Sequence, residues 1–227
     1  MQIIEIYKSL QGESSFTGLP CGFVRLAGCN LRCHWCDSEY TFKGGVKMSN
    51  QEVAADVHRL MSFGGLVEIT GGEPLLQERE LIPLMKQLVE SGYTLLLETS
   101  GERPLQRVPP AVFKIVDVKC PDSGEGKSFR MENLGAISKR DEVKFVIASR
   151  TDYEFAREFT LGNELWQRVG NVIFSPAFRK LAWGSRDAAN CLVDPRDLAE
   201  WILQDGLRVR LGLQIHKLIW DPSLKGV

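Results

Sequence analysis

The chain has 227 residues, 44% hydrophobic and 25% charged, with a formal net charge of −1. That composition suits one well-buried globular domain. Near-neutrality removes any general attraction to nucleic acid or anionic lipid, and no apolar run approaches the roughly 18 residues that span a bilayer. The sequence opens without a basic and then apolar leader. Its six cysteines therefore point to a reducing cytoplasm, where metal or cluster ligation is favoured over disulfides.

An isoleucine-rich segment over residues 2–7 predicts a short strand. It leads into Ser9-Leu10-Gln11-Gly12-Glu13-Ser14-Ser15, a polar loop around a central glycine. Residues 23–28 predict a second strand, with Arg25 the odd member among apolar neighbours. A strand arginine that points inward needs a carboxylate or phosphate partner, so Arg25 is a candidate anion anchor.

Directly after this strand comes Cys29-x3-Cys33-x2-Cys36. At this spacing three thiolates can converge on one inorganic centre. A structural zinc or an ordinary 4Fe–4S cluster takes four protein ligands, and the next cysteine, Cys120, is far along the chain. Three sulfurs on a four-iron cube leave one iron open to an external ligand. A zinc knuckle completed by His34 is the other reading of the spacing. Asp37, Ser38, Tyr40 and Thr41 add oxygen atoms that suit Mg²⁺ better than iron.

Ser49 followed by Glu52 has the form of a capping box and predicts a helix ending near residue 63. Residues 66–70 predict a buried strand, closed by Gly71-Gly72-Glu73-Pro74. Two glycines at the carboxyl end of a strand let the backbone approach a ligand closely. A helix over 78–90 precedes a strand over 94–98, which ends in Glu98-Thr99-Ser100-Gly101. A strand over 113–118 leads to Lys119-Cys120-Pro121. The segment 122–128 has the composition of a surface loop, or of one that orders over a site. A strand over 142–148 carries Lys144 among apolar residues. A helix over 151–161 and a strand over 171–174, ending at Ser175-Pro176, come next. A helix then runs from Asp194-Pro195 to near residue 206, and the last predicted strand covers 207–215. Strands of about five residues alternating with helices of about twelve are the pattern of a parallel α/β sheet. Chemically interesting groups recur at the carboxyl ends of its strands, the edge that carries active sites. No repeat or linker divides the chain, so one domain over residues 1–227 is expected.

The three-cysteine loop followed by Gly-Gly-Glu-Pro resembles the radical S-adenosylmethionine (SAM) superfamily. The further stretches Ser9-Leu10-Gln11-Gly12-Glu13, Cys36-Asp37-Ser38, Glu98-Thr99-Ser100-Gly101, Asp117-Val118-Lys119-Cys120-Pro121 and Leu213-Gln214-Ile215-His216-Lys217 are similar to one family within it. That family is the 7-carboxy-7-deazaguanine synthases of queuosine and other 7-deazapurine biosynthesis, and the similarity runs over essentially the whole chain. The resemblance implies an α/β fold, a partial parallel β/α barrel of the radical SAM type, and a homodimer. It implies that a flavodoxin- or ferredoxin-like donor reduces a 4Fe–4S cluster. SAM then yields a 5′-deoxyadenosyl radical, 6-carboxy-5,6,7,8-tetrahydropterin loses hydrogen from C6, its ring contracts, and ammonia leaves.

Residue roles follow from the same resemblance. Cys29, Cys33 and Cys36 would hold the cluster. Gly71, Gly72 and Glu73 would meet SAM, with Ser100, Lys119 and Ser175 as neighbours. Ser38 would bind Mg²⁺ with Asp37 beside it. Arg25 would hold the substrate carboxylate, while Gln11, Gly12 and Glu13 read the pterin edge and Thr99 adds a further contact. In some members the C-terminus reaches the substrate, which here involves residues 223–227 after Pro222. Cys21, Cys120 and Cys191 are expected as buried thiols, His34 as a residue shaping the cluster surroundings, and His58 as an ordinary helix residue. His216 and Lys217 would line the site or a dimer contact. Trp166, Trp183, Trp201 and Trp220 are expected in core or interface. Two other readings share these residues: a radical SAM activase acting on a partner protein, and a non-catalytic iron–sulfur sensor.

Overall fold

The strand β4 (Leu66–Gly71) is buried at every residue, which a parallel sheet covered on both faces allows. The computed structural model describes residues 1–179, 190–221 and 224–226. Its strands are β1 (Gln2–Leu10), β2 (Pro20–Leu26), β3 (Val46–Lys47), β4, β5 (Thr94–Thr99), β6 (Phe113–Asp117), β7 (Glu142–Ile147), β8 (Asn171–Pro176) and β9 (Arg210–Leu211). They form one sheet in the order β3-β1-β2-β4-β5-β6-β7-β8-β9. From β2 to β9 every pairing is parallel. The first strand pairs antiparallel with both β2 and β3. The sheet curls without closing, as a partial barrel does.

Helices cover the outer face. Val24, Leu26, Val67, Ile69, Leu95, Leu97 and Val116 share one core with residues of α1 (Asn50–Leu60) and α2 (Glu78–Glu90). Val143, Phe145, Val172 and Phe174 share a second with α3 (Arg150–Gly162), α4 (Leu165–Arg168) and α5 (Pro195–Gln204). The intervening residues point into the barrel. Cys21, Phe23, Leu66, Leu96 and Ile115 form a small apolar cluster there. Along the same inward rows stand Arg25, Glu68, Thr70, Glu98, Asp117 and Lys144, all lining one interior cavity.

Ser49 caps α1 in the expected box: its side chain accepts from Glu52 N while the Glu52 side chain accepts from Ser49 N. The helix stops at Leu60, short of residue 63, because Met61 turns extended and packs into the core. Two expectations are corrected. The all-strand-and-helix alternation misses the antiparallel β1–β2 hairpin, whose connection carries no helix and so needs no crossover. The last strand, expected over 207–215, shrinks to Arg210–Leu211. A Cβ at Gly212 would lie 2.6 Å from Ile173 Cγ2, and there the chain leaves the sheet. It turns back so that Ile215 N donates to Gly12 O at 3.1 Å, and α6 (Ile215–Ile219) packs at the barrel's open side. Cys21, Cys120 and Cys191 are buried, and His58 Nδ1 bonds the Tyr93 hydroxyl at 2.8 Å. Trp201 packs in the second core, while Trp183, Pro222, Ser223 and Val227 lie outside the described residues. No helix among the described residues is long and apolar enough to cross a membrane.

Candidate active site

The cysteine loop leaves β2 at Gly28, whose φ of +95° is the left-handed conformation glycine supplies at no steric cost. Cys29, Cys33 and Cys36 are half-buried and line one cavity of about 310 Å³. The carboxyl end of β4 passes close beside them: a Cβ on Gly72 would lie 2.6 Å from Cys29 Cβ, so glycine is required there. Glu73 N donates to Gly28 O at 2.8 Å, which ties the two loops together.

The segment 122–128 is a working part of this loop's support. Arg32 N donates to Glu125 Oε1 at 2.6 Å, and His34 N donates to Ser123 O at 3.0 Å. The His34 ring bonds Asp122 O through Nδ1 at 2.8 Å. Asp122 N in turn donates to the buried Asp152 at the start of α3, at 2.9 Å. His34 is thus a brace. Its ring packs against Gly124, where a Cβ would lie 2.9 Å from His34 Nε2.

Gln11, Gly12, Glu13, Arg25, Asp37, Ser38, Gly71, Gly72, Thr99, Ser100 and Lys119 all line the same cavity as the cysteines, and so do Leu224, Lys225 and Gly226. Two expected residues stand behind the wall instead. Glu73 is fully buried; its carboxylate accepts from Leu75 N, Thr99 Oγ1, and both the backbone and hydroxyl of Ser100. It joins the ends of β4 and β5 with its oxygens already satisfied. Ser175 is also fully buried, and its hydroxyl donates to Gly212 O at 2.8 Å. Gln11 is largely committed too: Oε1 accepts from Glu13 N and Ser14 N, and Nε2 donates to Glu68. It shapes the loop that presents Glu13.

Electrostatics centre on Lys144, a residue the sequence reading marked as odd without giving it a role. Its side chain is 2% exposed. The ammonium binds Glu13 Oε2 at 2.8 Å, the Glu98 carboxylate, and Asp117 Oδ2 at 3.7 Å. Burial alone would raise the Glu13 carboxyl. Lys144, His216 and Lys217 overcome that and hold it well below the usual carboxylate range. Burial, with Glu98 beside it, pushes the Glu68 carboxyl well above that range. Burial lowers His216, whose ring packs where a Gly12 side chain would stand. Arg25 meets the carboxylate its placement called for: Nε pairs with Glu5 Oε1 at 2.8 Å, and an NH2 hydrogen goes to the Tyr7 hydroxyl at 2.8 Å. Asp37 pairs with Lys217, while Ser38 Oγ lies 3.7 Å from Cys36 Sγ. Glu68, Thr70, Asp117 and Gln214 are cavity residues absent from the sequence-based set.

The donor set fits a cluster with an organic ligand beside it. Burial pushes the Cys33 thiol up to about 11, so its proton stays until a metal centre displaces it. Lys119 stands in the same wall with Asp117, paired at 2.8 Å. The second oxygen of Asp117, Oδ1, is a buried acceptor without a hydrogen-bond partner, of the kind a ligand hydroxyl or amine satisfies. Gly71 and Gly72, a glycine shelf, line the cavity with Cys29, and their missing side chains leave room for the backbone of Leu26 and Gly28.

An open β/α barrel with three cysteines after its first parallel strand is the architecture of a radical SAM enzyme. The Radical SAM superfamily model matches residues 24–117, from β2 through β6. The chain is 70% identical over 227 residues to 7-carboxy-7-deazaguanine synthase of Koribacter versatilis, spanning 100% of both chains. It is 41% identical over 231 residues to the enzyme of that name from Chlorobaculum tepidum, covering 100% of this chain and 97% of that one. The crystal structure of QueE from Escherichia coli shares the fold with a TM-score of 0.69 at 26% identity, over 94% of this chain and 93% of that chain. Within the radical SAM superfamily the protein belongs to the 7-carboxy-7-deazaguanine synthase family.

Proposed function

We propose that this chain, acting as one domain, converts 6-carboxy-5,6,7,8-tetrahydropterin to 7-carboxy-7-deazaguanine with loss of ammonia. The observation that carries the reading is the single cavity shared by the three cysteines, the glycine shelf, Glu13 and Arg25. Cys29, Cys33 and Cys36 would hold the 4Fe–4S cluster, and Gly71, Gly72, Ser100, Lys119 and Asp117 would surround SAM. When bound, the cluster and SAM supply one-electron radical chemistry. The protein's own share is to bind, orient and exclude water.

Glu13, kept ionised by Lys144, accepts hydrogen bonds from the amino-pyrimidine edge. Arg25 has guanidinium donors beyond those used by Glu5 and Tyr7, and these suit the substrate carboxylate. Thr99 and Thr70 hydroxyls flank the same space. Ser38 would ligate Mg²⁺ together with substrate oxygens and water, a coordination this ion favours. Asp37, ion-paired with Lys217, would act beside it. Leu224 to Gly226, in the cavity wall, would close over the substrate. A flavodoxin- or ferredoxin-like protein would supply the electron to a cytoplasmic homodimer.

Anaerobic turnover tests the reading. The cluster-loaded protein receives SAM, Mg²⁺, reductant and 6-carboxytetrahydropterin, and products are followed by mass spectrometry. The expected result is 7-carboxy-7-deazaguanine, abolished in Cys33→Ala. SAM cleavage without that product would contradict the substrate and favour an activase. An intact cluster with no SAM cleavage would favour a sensor.

A further inference from the structure

The loop that presents Glu13 is fastened to β7 at a second point, outside the cavity. Glu142 is the first residue of β7 and faces the same side as Lys144, two residues on. It is 2% exposed. Its carboxylate accepts from Ser15 N, at 3.1 Å to Oε2 and 3.3 Å to Oε1. Asn171, level with it on β8, donates from Nδ2 to Oε1 at 3.1 Å. One contact joins Glu13 to Lys144 and the other joins Ser15 to Glu142, so the loop advances as β7 recedes. It therefore crosses the inner face of β7 antiparallel, from the β1–β2 hairpin to the far half of the sheet. Phe16 extends the crossing to β6, packing edge-on against Phe113 with ring centroids 5.2 Å apart.

We propose that Glu142 is a positioning residue for substrate recognition, pinning Ser15 so that the Glu13 carboxylate stands ready at Lys144. The proposal rests on the reading of the reaction given above. Glu13 and Lys144 line the cavity, whereas Glu142 and Ser15 lie outside its wall, so Glu142 acts through the loop. Gln11 fixes the loop on one side of Glu13, its Oε1 accepting from Glu13 N and Ser14 N. Glu142 fixes it on the other. With both anchors in place the Glu13 carboxylate is aimed before the substrate arrives. Without the second, each binding event must order the loop, and affinity bears that cost. The cysteine loop follows the carboxyl end of β2 while Glu142 stands at the amino end of β7, the opposite end of a parallel barrel. Cluster and SAM are therefore outside its influence.

Glu142→Leu removes the acceptor and keeps a side chain of similar size. In the cluster-loaded enzyme with SAM, Mg²⁺ and reductant, KM for 6-carboxytetrahydropterin is expected to rise by about tenfold or more. Its kcat, and the Kd for SAM by equilibrium dialysis, should stay within about threefold of wild type. Hydrogen exchange of the same protein, read by mass spectrometry, should be faster by about tenfold in a peptide spanning residues 11–16. Glu142→Gln retains an acceptor oxygen for Ser15 N, and Asn171 can turn its amide to match. Its KM and exchange should lie within about threefold of wild type. Glu142→Asp keeps the carboxylate but draws it back by one methylene. Its KM should rise by more than about threefold, and it carries the test if the leucine variant does not fold. A smaller KM change in both, unaltered exchange over residues 11–16, a matching loss of SAM affinity, or a Glu142→Gln as impaired as Glu142→Leu would each overturn the proposal. A wild-type enzyme that makes no 7-carboxy-7-deazaguanine would overturn the function itself and the recognition role with it. An active wild type beside an unimpaired Glu142→Leu overturns the positioning alone.

Discussion

The two faces of the same strands carry opposite chemistry. On β7, Val143, Phe145 and Ile147 point outward into a helix-covered core, while Lys144 between them reaches into a cavity among three carboxylates. On β5, Leu95 and Leu97 face the helices and Glu98 lines the cavity; on β6, Val116 and Asp117 divide in the same way. Each outward leucine or isoleucine contributes about 1.5–3 kcal/mol by leaving water. Each inward charge costs stability unless its partner is present. The outer face therefore holds the barrel, and the inner face uses part of that stability to keep charges dry and aimed.

Substitutions on the two faces should separate stability from function. Lys144→Met leaves Glu13, Glu98 and Asp117 without their common cation, a loss of about 3–5 kcal/mol by the measure of broken buried pairs. Denaturant unfolding should show that loss, together with a raised KM for the pterin. Its acid sensitivity should also change. Glu13 has its folded value lowered, so the stability it confers is present above its unfolded value of about 4.3 and is lost as pH falls through the lower folded value. Without Lys144 this acid loss should shrink in a pH series of unfolding curves. Leu97→Ala, on the outward row of β5 and fully buried, should cost about 2–5 kcal/mol. At temperatures where it stays folded, its KM should match the wild type. Ser49→Ala breaks the capping box of α1, far from the cavity, and should cost about 1 kcal/mol with no kinetic effect.

Much of this was legible in the sequence. The cysteine spacing, the glycine shelf and, α4 aside, the order of strands and helices from β4 to α5 announced themselves locally. Arg25 was found by one argument, that a charge inside an apolar strand needs a partner. The same argument applies to Glu68 in Leu66-Val67-Glu68-Ile69 and to Lys144 in Val143-Lys144-Phe145, each a charge among apolar neighbours in its own strand. Their partners were not legible, because Glu13 and Lys144 are 131 residues apart and only the curl of the sheet joins them. Glu73 and Ser175 look the same in sequence as residues that touch a ligand. Only their hydrogen bonds place them behind the wall. The C-terminal segment read as a strand because Leu207 to Ile215 is largely apolar. It leaves the sheet at Gly212, where a Cβ would meet Ile173, a neighbour no local pattern reveals.

Glu13→Gln gives the most direct test of the claim that the inner charges serve recognition. The substitution keeps the shape and removes the carboxylate that Lys144 holds in place. Steady-state turnover of cluster-loaded enzyme should show kcat/KM for 6-carboxytetrahydropterin lowered by about tenfold to a hundredfold, the value of hydrogen bonds to a charged group. An unchanged kcat/KM in a folded, cluster-loaded variant would contradict the account, because the ionised Glu13 would then be no part of how the substrate is read.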